Sequence, residues 1–90
     1  MPTSAISQQI KAFIDKQFPL ARTRQIGMDY ALLENGIVDS LGVLDVVTFL
    51  EQQFHISVAD DDLVPEHFQT IARLTEFVQA KVAGTPVSSS

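Results

Sequence analysis

The chain reads as an all-α protein: a small four-helix bundle of three main helices and a short third helix, with a long loop between helices one and two. Three observations predict it. Apolar residues recur at helical spacing in three separated stretches, near Ile6–Ile14, Val43–Phe54 and Ile71–Val78. No segment sustains the apolar–polar alternation of a strand, and no internal repeat is visible. Ninety residues with 46% apolar content suffice for one core of modest size.

Helix one carries Ile6, Ile10, Phe13 and Ile14 along one face, with Ser4 placed to cap it, Phe18 able to extend the stripe and Pro19 expected to end it. From Leu20 to Val38 there is no sustained period, and Gly27 and Asn35-Gly36 are turn signals. Structureless loops longer than about 12–15 residues are uncommon in compact domains and are often functional. The apolar residues Ile26, Met28, Tyr30, Leu32, Leu33 and Ile37 imply that this one packs down on the core. The second main helix runs from about Ser40 to Phe54 behind Asp39, a capping residue type. A short helical piece is expected within Val64–Gln69, opened by Pro65 in its favoured early position. Thr70 then caps a last helix that turns Ile71, Leu74, Phe77, Val78 and Val82 inward. Residues 1–83 form the single domain, and residues 84–90, Gly-Thr-Pro-Val-Ser-Ser-Ser, read as a disordered tail.

The second main helix has two faces to explain. At 100° per residue, Val43, Val46, Val47, Leu50 and Phe54 fall within an arc of about 100°, the expected core stripe. Leu41 lies nearly opposite, with Asp45, Thr48 and Gln52, and Leu44 sits on the flank. A lone exposed leucine is ordinary, but two of them with an acid between, one turn from Ser40, describe a small docking patch. Gly42, costly in a helix, either leaves room for something approaching Ser40 or is a tolerated surface glycine.

Composition removes whole classes of function. There is no cysteine, so no disulfide, thiolate metal site or thiol nucleophile. No apolar run approaches the roughly 18 residues needed to cross a bilayer, and Met1-Pro2-Thr3-Ser4 does not resemble a signal peptide, so a cytoplasmic chain is expected. Charge is segregated: Lys11, Lys16, Arg22 and Arg24 face only Asp15 before residue 29, whereas ten acids face only Arg73 and Lys81 from residue 29 onward. The acidic part would repel nucleic acid and anionic membranes; it either steers the domain to basic partner surfaces or simply keeps it soluble.

Gly36-Ile37-Val38-Asp39-Ser40-Leu41 is the stretch with chemistry to offer. With Asp39 as N-cap, Ser40 falls in the first helical turn, where unpaired N–H groups and the helix dipole favour an attached anion. A hydrolase reading fails on several counts. A nucleophile elbow needs a glycine where Val38 stands, and the strand that builds one is missing. His55 lies about four turns away, and His67 belongs to another element. Asp60-Asp61-Asp62 lacks the alternating ligands and turn glycine of an EF-hand loop, and two histidines without cysteine make no structural zinc site, so no metal is expected. Ser40 is thus not expected to act as a catalytic nucleophile, and the chain is read as one that is not an enzyme.

From Leu33 to Val82 the sequence resembles the acyl carrier proteins and their aminoacyl and peptidyl carrier relatives. The resemblance rests on Asp39-Ser40-Leu41, the following Leu44-Asp45-Val46-Val47 through Leu50-Glu51 to Phe54, then Ile56-Ser57-Val58, Pro65 and Thr70-Ile71-Ala72-Arg73-Leu74. It implies that a phosphopantetheinyl transferase joins 4′-phosphopantetheine from coenzyme A to Ser40, and that acyl groups ride on the arm as thioesters. It also implies a partner face on the second main helix, here Leu41, Leu44, Asp45 and Thr48, and a monomer that meets ligases, synthases or transferases. The acyl chain is expected to retreat, if at all, near Val43, Val47 and Phe68. Gly42 and Thr48 stand where carriers of general fatty acid synthesis often have an acid and a methionine, which favours a free-standing carrier of a specialised pathway, polyketide-like or other. An aminoacyl, D-alanyl or peptidyl carrier charged by an AMP-forming ligase is the alternative within the family. An unmodified helical adaptor is the alternative outside it.

Overall fold

A computed structural model of the chain describes residues 3–82, with side chains from residue 5 onward. Among these residues it is all-helical: α1 (Thr3–Gln17), α2 (Pro19–Arg24), α3 (Ser40–Phe54) and α4 (Ile71–Val82), with 3-10 turns at Asp60–Asp62 and Pro65–Phe68 between α3 and α4. None of these helices is long and apolar enough to cross a membrane. The tail expected at residues 84–90 lies outside the described residues.

The three main helices stand where the periodicity puts them. Ile6, Ile10 and Ile14 of α1, Val46, Leu50 and Phe54 of α3, and Ile71, Leu74, Phe77 and Val78 of α4 form one core with Phe68. α1 packs mainly on α4, and α3 touches both. Phe13 stacks on Phe49 at 4.2 Å and 12°, which joins α1 to the edge of α3.

Several expectations need correction. α1 already includes Thr3, so Ser4 lies inside its first turn and is not the cap residue; two adjacent residues of capping type left the start ambiguous. Pro19 does not merely end α1. Phe18 is extended (φ −120°, ψ 98°), and Pro19 opens α2 at a position where a missing N–H costs nothing. Six residues with one buried member, Ala21, leave no period to detect, so α2 was hidden in what read as loop. The short third helix is a 3-10 turn started by Pro65, and the fourth α-helix is α2. Val82, expected inside, is 47% exposed, because the last turn of α4 passes beyond the core.

The rest of the long segment packs down as its apolar residues imply. Ile26, Leu32, Ile37 and Val38 are buried. It is also stitched to the approach and the first turn of α4: the Leu32 N–H donates to the Gln69 carbonyl at 2.7 Å and the Ala72 N–H to the Met28 carbonyl at 3.0 Å. Arg24 secures its outer side, donating to Tyr30 Oη at 3.2 Å and the Asn35 carbonyl at 3.1 Å. This fixed segment delivers the chain to α3.

Candidate functional site

The approach to Ser40 is built from buried backbone. Gly36 takes φ +73°, a conformation in which a side chain is strained, and turns the chain inward. Ile37 and Val38 are buried, and their N–H groups both donate to the Leu32 carbonyl, at 2.9 and 3.3 Å. Asp39 then emerges in extended conformation (φ −99°, ψ −173°), and its Oδ1 accepts the Gly42 N–H at 2.6 Å. This is the N-cap that the sequence predicts.

Ser40, the first helical residue, is exposed. Among the described residues, the N–H groups of Ser40 and Leu41 meet no protein acceptor. The hydroxyl therefore stands at the positive end of α3 beside two open donors, where a covalently attached anion is favoured.

Neither reading of Gly42 holds. It is buried, and a Cβ there would lie 2.8 Å from Cε1 and 3.1 Å from Cζ of Phe18, and 3.2 Å from Asp39 Oδ1. The missing side chain makes room for the Phe18 ring and for the cap itself. It does not clear a path to Ser40. Phe18 comes from the α1–α2 junction, so no local signal in the sequence pairs it with Gly42.

The outward face of α3 holds the residues assigned to it. Leu41 is 75% and Leu44 54% exposed, and Asp45 and Thr48 are exposed as well. Asp45 makes no ion pair among the described residues. Thr48 turns its hydroxyl back to the Leu44 carbonyl at 3.0 Å. Glu51, the other acid of the helix, accepts the Val58 N–H at 2.9 Å and so anchors the chain that leaves α3.

Beside Ser40 lies an apolar cleft of about 330 Å³, lined by Leu33, Ser40, Val43, Leu44, Leu63, Val64, Pro65 and Phe68. It runs between α3 and the Pro65–Phe68 turn, so Val43 and Phe68 are in the wall as expected and Val47 is not. Leu63 and Val64 join them without having been expected there. The signal for them was an apolar pair before Pro65 that neither helix nor strand periodicity absorbed.

The remaining titratable candidates sit elsewhere. His55 is exposed and ends α3 in the left-handed conformation (φ 55°). His67 is half-buried, its Nδ1 2.8 Å from the Asp62 carbonyl and its ring 4.9 Å from that of Phe77. Asp62 is bound to Lys81 at 2.7 Å, a link across 19 residues that no spacing rule predicts. That hydrogen bond lowers the Asp62 pKa, against the opposing effect of burial. No protein-family model matches the chain.

Proposed function

We propose that the chain is a carrier protein: Ser40 receives 4′-phosphopantetheine from coenzyme A, and the arm holds acyl intermediates as thioesters. One observation carries the reading above the rest, namely the exposed Ser40 hydroxyl on the uncovered N-terminus of α3. A serine there is reachable by a modifying enzyme, and its phosphodiester would lie against N–H groups that the protein leaves without acceptors. When bound, the arm supplies the thiol that a chain without cysteine lacks.

The chain's own part is to place and to present. Asp39 holds the first turn through the Gly42 N–H, so that Ser40 is offered at a fixed angle. Leu41, Leu44 and Asp45 supply an apolar and acidic surface that suits brief contact with a transferase and with the enzymes that load and unload the arm. In this reading Ser40 is a tether and performs no turnover.

The cleft favours acyl cargo over aminoacyl or D-alanyl cargo. Apart from Ser40 its lining side chains are apolar, and none is a carboxylate that would pair with an ammonium group. Such a carrier serves fatty-acid, polyketide-like or other specialised biosynthesis.

The deciding measurement is the mass of the intact chain after incubation with coenzyme A and a broad-specificity phosphopantetheinyl transferase. One arm should be added to the wild type and none to Ser40→Ala. Equal labelling of both, or no labelling of the wild type, would sink the reading.

A further inference from the structure

We propose that Lys81 and Asp62 form a latch that sets the width of the apolar cleft beside Ser40, acting through the wall Leu63–Phe68. The consequence for acyl cargo rests on the carrier reading; the latch itself rests on packing alone.

The wall has two sides. Leu63, Val64, Pro65 and Phe68 face the cleft, opposite Val43 and Leu44 of α3. One end is sunk in the core, where Phe68 is 2% exposed, whereas Leu63 at the other end is 37% exposed. That outer end is held by Asp62. Its Oδ2 accepts from Lys81 Nζ at 2.7 Å and from the Ala59 N–H at 3.0 Å. Its carbonyl accepts the Val64 N–H at 2.9 Å and faces His67 Nδ1 at 2.8 Å. On α4, the Lys81 ammonium lies 5.8 Å from the centre of the Phe77 ring, against which His67 also packs.

Among the described residues, the other ion pairs, Lys11–Asp15 and Arg73–Glu76, each lie within one helix and fasten nothing to anything else. Lys81–Asp62 joins two elements. Its side chains are 25% and 14% exposed, against 61% and 67% for Arg73–Glu76, so water screens it far less. Between this bond and the buried Phe68, the wall holds a single short 3-10 turn, Pro65–Phe68, which has poorer hydrogen-bond geometry than an α-helix. Lys81 is therefore a positioning residue for a cleft it does not touch.

The test uses the full unmodified chain. Amide hydrogen exchange is followed at Leu63 and Val64, with Leu50 of α3 as the control, in wild type, Lys81→Met and Lys81→Arg. Loss of a charge-assisted bond should speed exchange at Leu63 and Val64 about ten-fold in Lys81→Met, with Leu50 unchanged and Lys81→Arg close to wild type. The neutral apolar dye N-phenyl-1-naphthylamine should also bind Lys81→Met about three-fold more tightly, as the cleft opens more often. Unchanged exchange at Leu63 and Val64 would overturn the proposal, and so would equal acceleration at Leu50 or local acceleration with no change in dye binding. Should Lys81→Met fail to fold, Asp62→Asn takes the carboxylate charge out of the same bond with almost no change of volume. Neither readout involves the prosthetic arm, so a failure of Ser40 to be labelled and a failure of the latch are told apart.

Discussion

α3 and α4 begin alike and present different things to their surroundings. Asp39 caps α3 by accepting the Gly42 N–H at 2.6 Å, and Thr70 caps α4 by accepting the Arg73 N–H at 3.0 Å, each through a side chain three residues upstream. The first helical residue is Ser40 in one, exposed, and Ile71 in the other, fully buried. The second N–H of α4 is taken by the Met28 carbonyl, whereas the first two of α3 meet no acceptor among the described residues. One helix start is spent on the fold and the other is left open. Caps of the same spacing can therefore serve opposite ends, and neighbouring chain decides which.

Substitutions at matched positions separate the two helix starts most sharply. Ile71→Ala should cost about 2–5 kcal/mol in chemical denaturation, since it empties a buried site. Ser40→Ala, at the same helical position, should stay within about 0.5 kcal/mol of wild type. Similar losses at the two sites would break the comparison.

The caps should behave as equals. Asp39→Ala and Thr70→Ala are each expected to lower stability by about 1 kcal/mol. A much larger loss for Asp39 would mean that its carboxylate supports more of the fold than the first turn of α3.

Gly42 gives a test in which two effects oppose each other. Helix propensity alone makes Gly42→Ala stabilising, by up to about 1 kcal/mol. The contact with Phe18 should reverse the sign and leave the variant less stable by about 1 kcal/mol. In a Phe18→Leu background the penalty should disappear, which a double-mutant cycle reads directly.

The smallest effect lies at the far end of α4. Asp62 has its pKa lowered by the hydrogen bond from Lys81, so its contribution is present above the ordinary aspartate value and is lost as the pH falls through the lower folded value. Denaturation of wild type and Asp62→Asn should therefore differ at pH 7 and converge once the pH has fallen below the lowered folded value, with a gap of under about 1 kcal/mol for a pair that is still partly exposed. A gap that widens on acidification would have the wrong sign for this bond.

Much of this was legible in the residues. Ile6, Ile10 and Ile14, or Ile71, Leu74 and Phe77, repeat with the period of a helix, and a buried stripe follows from that period wherever a core exists. Asp39 is legible for a similar reason, because a cap acts within three residues of itself. Helix α2 was not, since Pro19 signals both an end and a beginning and Ala21 alone points inward.

The sequence by itself determined the three main helices, the cap at Asp39, the exposed serine behind it and the outward Leu41 and Leu44. Each depends on spacing along one helix or on a cap three residues away. Only the tertiary structure decided that Gly42 shelters Phe18, that the Met28 carbonyl covers α4 while α3 stays open, and that Lys81 reaches across to Asp62. Those contacts join residues 19 to 44 positions apart, and no local periodicity encodes a pairing at that range.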